Sequence, residues 1–434
     1  MNAFRETASV FRIRNYRLFW LGSLVSNIGR WFQTVAIPVV IFDLTGSAGW
    51  VGLAGFAQIM PMALVSSVGG ALADRYQRRV VLSITQSLQA LVAVGLTTAW
   101  FAGVRSPAGY VALSVLVGVT AGLNLPAWQA IVSEMVPREK LLAGITMNSA
   151  QFNASRMIGP ALGGVAIAVW GPGWAFFVNS VTYAAVLLSL VLMQIPARVI
   201  NRDGRMRPLR EFAAAVRYSF ARRGIRTAMF TIAMVGLFGL SLQTLSVTIA
   251  EDVFERGEQG FGLMLGCVGL GAVLAAPFVA AAAGRFPRSR LVATALVLYA
   301  AGALVIAFAP RFGVALGGSF LMGVAHISTG STLNTSIQLQ VDEDIRAKVM
   351  AVYITCLTAA NPTGQLVLGQ LIDATSPRTA YTLAGSAFIV IALWLAWRGR
   401  LEGLDVEGGG YEPVPAAAEV HPSTPAPPKG YRGA

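Results

Sequence analysis

Twelve apolar runs dominate the chain, at roughly 18–41, 50–73, 80–102, 109–133, 143–169, 174–195, 227–250, 261–283, 291–309, 312–338, 348–372 and 379–397. Each approaches the roughly 20 residues that cross a bilayer as a helix. The runs are continuously apolar rather than alternating, so helices are expected and a barrel is not. Composition agrees. Hydrophobic residues make up 55% of the chain and charged residues 12%, against about 25% charged in a soluble domain. The expected class is an all-α polytopic membrane protein with twelve transmembrane helices.

The net charge of +13 raises nucleic-acid binding, but the distribution argues against it. With a cytoplasmic N-terminus, most of the 33 Lys and Arg fall in inner segments. The outer loops hold Arg105, Arg256, Arg311 and Arg378, and Arg30 and Arg156 fall inside runs. This asymmetry orients helices in a membrane, with both termini cytoplasmic. A nucleic-acid partner would need a folded basic face with interleaved aromatics, and no such pattern is visible. No cleavable signal peptide is expected. Cys267 and Cys356 lie in apolar runs and read as packing residues, not as a disulfide or metal pair. With His326 and His421 as the only histidines, neither metal nor cofactor is expected. Nothing resembles an enzyme's nucleophile–base pair.

The chain divides into an N-terminal arm (1–17), a six-helix half (18–195), a linker (196–226), a second half (227–398) and a Gly/Pro-rich tail (399–434) expected to be disordered. In the linker Leu209, Phe212, Ala213, Val216 and Phe220 share a helical face, which reads as an amphipathic helix on the inner surface. The halves echo one another. Gly118 and Gly323, Gly159 and Gly364, and Gly164 and Gly369 share one offset; Gly52 and Gly262, Arg75 and Arg285, and Arg78 and Arg288 share a slightly larger one.

Residues 70–79 read Gly-Ala-Leu-Ala-Asp-Arg-Tyr-Gln-Arg-Arg, a charged turn between two long runs. Such a turn cannot sit in hydrocarbon, so it marks a membrane surface. It resembles the signature loop of the major facilitator superfamily, with Gly70, Leu72, Ala73, Asp74, Arg75, Arg78 and Arg79 matching and Gln77 in place of the usual Gly. The resemblance implies two parallel six-helix repeats, with the substrate site between them near mid-membrane. It also implies that Asp74, with Arg75, Arg78 and Arg79, gates the inner side.

The fifth run carries Gly159-Pro160, then Gly163-Gly164, and resembles the fifth-helix motif of superfamily exporters. Small residues admit a partner helix and Pro160 bends the chain, so a gate seal is expected. Thr146 and Ser155 replace two earlier motif glycines. Pro126, Ala127, Ala130, Val136, Pro137, Leu141, Asn153 and Arg156 match the enterobactin-exporter branch, also called transmembrane secretion effectors. That branch implies export of a siderophore or drug-like molecule and leaves the substrate open. Leu113–Ile131 holds no charge, so the fourth-helix Arg of many proton-coupled drug exporters is missing.

Substrate-binding candidates are polar residues sharing faces at spacings of three and four. They are Asn27 and Arg30 in the first run, Asn153 and Arg156 in the fifth, His326 and Asn334 in the tenth, and Asn361 and Gln365 in the eleventh. A mid-helix charge is costly and normally faces a cavity or a partner. None of the 20 Asp and Glu lies mid-run, so anionic or neutral polar substrates are expected over organic cations. The same census leaves Asp43, Glu134, His326 or the substrate itself as proton carriers. The expected protein is a monomeric secondary transporter in the cytoplasmic membrane. It would export a small molecule by alternating access, coupled to protons. An importer or facilitator of the same fold, or a non-transporting sensor or lipid-interacting protein, is the alternative.

Overall fold

The computed structural model describes residues 9–194 and 208–406. The side chains of some residues inside helices, Asn153 and Arg156 among them, lie outside that description. Twelve long helices make up most of the described chain. The first six are α1 (Arg14–Thr45), α2 (Ala48–Arg75), α3 (Arg78–Phe101), α4 (Pro107–Ala130, with a further turn Val132–Met135), α5 (Leu141–Trp170) and α6 (Pro172–Leu192). The second six are α7 (Arg223–Val253), α8 (Gly257–Ala283), α9 (Arg288–Ala307), α10 (Phe312–Gln340), α11 (Glu343–Ala374) and α12 (Pro377–Trp397). Among the described residues, ten of the helices are long and apolar enough to cross a membrane.

Local chemistry sets the ends. Ser47, Ser106 and Ser376 cap α2, α4 and α12, each hydroxyl accepting from the backbone N–H three residues on. Proline opens α4, α6 and α12, where its missing N–H is not needed. Gly46 ends α1 with φ of 60°, a conformation that favours glycine. Helix α7 widens into π-helical turns at Val235–Leu240 and Ile249–Val253, a distortion common near functional sites.

The turns after α2, α4, α8 and α10 share one end of the bundle with the linker helix. They bring Arg75, Arg78, Arg79, Arg138, Lys140, Arg285, Arg288 and Arg290 to this end, the basic face. The turns after α1, α3, α5, α7, α9 and α11 form the far face.

Paired glycines hold equivalent positions in the two halves. A Cβ on Gly118 would collide with the Gln58 carbonyl of α2, and one on Gly323 with the Val268 carbonyl of α8. Gly159 abuts Trp31 of α1, as Gly364 abuts Leu237 of α7. Gly164 reaches across the halves to Gly262 of α8, as Gly369 reaches Ala48 of α2. The same helices therefore pack in the same way twice, through small residues that let backbones approach.

Two segments, the arm and the tail, depart from expectation. The arm was expected over 1–17, yet α1 starts at Arg14 and Ser9–Arg12 forms a 3₁₀ turn. Val10 is fully buried there, and Phe11 meets Tyr16 and Trp20 edge-on. The tail was expected to be disordered from 399, yet Leu401–Leu404 forms a 3₁₀ turn with both leucines buried. The Leu404 carbonyl accepts from Ser336 Oγ at 2.7 Å and from Arg288 at 3.3 Å, and Asp405 accepts from the Ser289 N–H at 3.0 Å. Two apolar side chains and a cap on α9 thus extend the packed chain to 405. Residues 407–434, including His421, lie outside the described residues. In the linker, Pro208–Ala221 is helical, with Ala215 and Ser219 buried against the bundle. Phe212 and Phe220 stay exposed, the arrangement of a helix that lies on a membrane surface.

Candidate functional site

The two halves meet at the far face. The last turn of α11 holds Asp373, whose carboxylate accepts from Ser47 Oγ at 2.6 Å, the Ala48 N–H at 2.7 Å and the Gly49 N–H at 2.9 Å. These donors form the N-terminus of α2, in the other half. Unpaired N–H groups and the helix dipole both favour an anion there. Close by, a Cβ on Gly52 or Gly55 would collide with Gln365, and the Gly164–Gly262 crossing brings α5 onto α8. Closure has an electrostatic cost. Asp43 of α1 lies within electrostatic reach of Glu251 and Glu258 from the opposite half.

Towards the basic face the helices lose this cover. Thr146 and Ala150 are exposed on one side of α5, and Ile145, Ser149 and Phe152 on another. On α11, Ala351, Ile354 and Thr355 are exposed. In the 70–79 loop Asp74 and Arg75 are exposed, and Asp74 makes no hydrogen bond or ion pair among the described residues. Arg78 instead pairs with Glu134 at 3.3 Å and donates to the Ala130 carbonyl at 2.8 Å. Arg79 donates to the Val191 carbonyl at 3.0 Å. Both arginines tie α3 to neighbours within its own half. On α5, Gly159 and Gly163 lie against α1 and Gly164 against α8, with Pro160 inside the helix between them.

A pocket lies inside the first half. Asn27 and Arg30 of α1 line it together with Gln86 and Gln89 of α3, Asn124 and Trp128 of α4, Phe152 of α5 and Tyr183 of α6. Part of this set is already satisfied. Tyr183 donates to Gln89 Oε1 at 3.2 Å, Gln89 Nε2 donates to the Thr120 carbonyl at 3.4 Å, and Asn124 donates to Thr85 at 3.4 Å. Asn27 Nδ2 and Gln86 Oε1 are buried with no partner among the described residues. No carboxylate lines the pocket.

The other sequence candidates lie elsewhere. His326 Nδ1 and the Tyr299 hydroxyl are 2.8 Å apart in the second half, and the Tyr299 ring stacks on Phe388. Asn334 accepts from Gln338 on the same helix. Gln365 donates to Asn361 Oδ1 at 3.0 Å, and Ser241 donates to the Asn361 carbonyl at 2.8 Å. Asn361 and Gln365 therefore join α11 to α7, and Gln365 also packs against α2 at the far-face crossing. The side chains of Asn153 and Arg156 lie outside the described residues; Phe152 places that part of α5 beside the pocket. Sequence reasoning missed Gln86, Gln89, Asn124 and Asp373. The first three were visible only as amides inside apolar runs.

A family model described as transmembrane secretion effector matches residues 6–413. The multidrug efflux pump Tap of Mycobacterium tuberculosis is 24% identical over 370 residues, covering 82% of this chain and 87% of that relative. The enterobactin exporter EntS of Salmonella choleraesuis is 24% identical over 387 residues, covering 88% and 91%. Among solved structures, the nucleoside transporter NupG aligns with a TM-score of 0.69 at 11% identity, covering 89% of this chain and 99% of that one. The D-xylose-proton symporter aligns with a TM-score of 0.67 at 16% identity, covering 89% and 98%. These two likenesses show the fold.

Proposed function

Because the chain belongs to the transmembrane secretion effector family, a family of multi-pass membrane transporters and not of enzymes, we propose that it exports a small molecule by alternating access. The basic face is cytoplasmic in this reading, and both termini lie there. One observation carries it. The far face is shut by Asp373 on α2, while the pocket with Arg30 lies among helices that are uncovered towards the basic face. That is the state in which an exporter loads its cargo from the cytoplasm. The siderophore exporter and the drug pump among the relatives support a siderophore or drug-like cargo. Proton entry is the proposed driving force, through Asp43, Glu134, His326 or the cargo itself. Asp74 and the Gly159–Gly164 segment are proposed to gate. Asn27 and Arg30, with Asn153 and Arg156 on the adjacent helix, are proposed to line the path; His326 and Asn334 do so from the second half.

The test uses inside-out vesicles bearing the full chain, with an imposed inside-acid gradient. The probes are a catecholate siderophore, a neutral polar solute and a lipophilic cation. Accumulation of one probe above control vesicles, lost on adding a protonophore, is the expected result. Accumulation only in right-side-out vesicles would make the protein an importer, and accumulation indifferent to the protonophore would refute proton coupling.

A further inference from the structure

The pocket of the first half is too small for a whole cargo. Its volume is about 60 Å³, against roughly 300–1,000 Å³ for a site that encloses a drug-sized ligand. It can take one functional group, with the rest of the molecule outside. Leu125 and Phe152, both exposed while lining the pocket, mark its mouth.

Its chemistry is specific. Arg30 is a cation with no carboxylate among the lining residues to offset it, and its guanidinium donates no hydrogen bond among the described residues. Among the described residues Asn27, 7% exposed, has no acceptor for its Nδ2, and Gln86, 4% exposed, has no donor for its Oε1. A buried polar group without a partner costs free energy that a ligand can return by supplying one. Tyr183 donates to Gln89, Gln89 to the Thr120 carbonyl of α4 and Asn124 to Thr85 of α3, and these bonds between helices form the frame. The free valences therefore amount to a guanidinium, one amide donor and one amide acceptor, bordered by the aromatic rings of Trp128 and Phe152.

We propose that this pocket is a subsite for a single oxyanionic group that carries a hydroxyl or N–H beside it, attached to an aromatic or apolar body. The oxyanion meets Arg30 and Asn27 Nδ2, and the neighbouring donor meets Gln86 Oε1. The proposal rests on the transport reading above and names the class of cargo it takes. A neutral amide satisfies Asn27 and Gln86 and leaves Arg30 uncompensated. An organic cation adds repulsion from Arg30, which a desolvated site screens weakly.

The experiment measures binding to the full-length protein in lipid nanodiscs by calorimetry, with four matched probes: mandelate, phenylacetate, phenylacetamide and phenethylammonium. Mandelate should bind tightest, phenylacetate next, the amide weakly and the ammonium not at all. Arg30→Gln should weaken both anions at least tenfold and leave the amide unchanged. Gln86→Leu should bring mandelate down to the phenylacetate level. Gln86→Glu, which supplies the missing carboxylate, should lose the anions and take up phenethylammonium. Should Arg30→Gln fail to fold, the two Gln86 variants decide the matter at the same site. Absence of binding by both anions overturns the proposal. So does phenethylammonium binding the wild type as tightly as phenylacetate, or Arg30→Gln leaving phenylacetate unaffected. Anions that bind while no vesicle assay shows movement would sink the exporter reading and leave the subsite standing. Gradient-driven movement that favours the cation would do the reverse.

Discussion

Asp373→Asn should shift the protein towards a far-face-open state. In the wild type Oδ2 accepts from Ser47 Oγ and the Gly49 N–H while Oδ1 accepts from the Ala48 N–H. These bonds require the halves to touch, because the donors sit on α2 and the acceptor on α11. An asparagine with its oxygen at the Oδ2 position keeps the bonds from Ser47 and Gly49 and turns NH₂ towards the Ala48 N–H. It loses one charge-assisted bond, worth about 1.5–3 kcal/mol when sheltered, and a charge–dipole contact of about 0.3–1 kcal/mol. The site is partly exposed and water replaces some of this in the open state, so the lower ends apply. The net cost is roughly 2 kcal/mol, or about a 30-fold shift in the equilibrium at about 1.4 kcal/mol per tenfold. Spin labels at Arg105 and Arg311, exposed far-face residues in opposite halves, report it by pulsed electron resonance once Cys267 and Cys356 are replaced by serine. The wild type should show mainly the short distance, and Asp373→Asn should add a long one. Ser47→Ala combined with Asp373→Asn should cost less than the sum of the two. A distance distribution unchanged in a folded Asp373→Asn protein would refute the latch.

The same label pair reads three further changes. Gly262→Ala places a methyl about 2.6 Å from the Gly164 Cα, so it should populate the long distance at least as strongly as Asp373→Asn does. Asp74→Asn should act in the opposite sense, enriching the short distance and abolishing transport with cargo binding intact, because Asp74 contributes no contact to the state described here. Asp43→Asn removes one of the like charges that closure brings together and should also enrich the short distance. Reporter fusions at residues 200, 255 and 434 should be cytoplasmic, external and cytoplasmic in that order; an external reporter at 434 would reject the orientation.

The helices were legible because bilayer-length apolar runs and serine or proline caps are local signals. So were the glycine pairs, since a repeat writes the same contact twice. Asn27 and Arg30 were found because an intramembrane charge is conspicuous. Gln86 was not, because an amide in an apolar run gains meaning only when α1, α3 and α4 converge. Asp373 looked like any acid near a turn. Its partner Ser47 is 326 positions away, a separation that leaves no local pattern. Gln365 was placed on the substrate path because it shares a face with Asn361, but that face of α11 is turned towards α7 and α2. The ordered end of the tail was missed because Leu401 and Leu404 are two apolar residues at the start of a segment that composition marks as polar and flexible.

The placement of the acids explains why one helix pair can bias the whole cycle. Helices α2 and α11 run antiparallel: α2 begins at the far face and ends at the basic face, and α11 does the reverse. Each therefore presents its N-terminus where the other ends, and each carries an acid one residue before its last, Asp74 in α2 and Asp373 in α11. An acid at a helix N-terminus is favourable at either end of the pair. The crossing at Gly52, Gly55 and Gly369 lies near the far face, so a rocking motion about mid-membrane that separates one end brings the other together. The companion pair α5 and α8 has the close glycine crossing, Gly164 on Gly262, without the acids: Gly284 and Ala168 stand at the repeat-equivalent positions. With the gating role proposed for Asp74, one pair supplies charge-assisted contacts that differ between states, and the other supplies a packed surface on which the halves would turn. Such a two-state element can be biased from either end. Neither acid lines the pocket with Arg30, so the equilibrium can be moved while the groups that choose the cargo stay as they are.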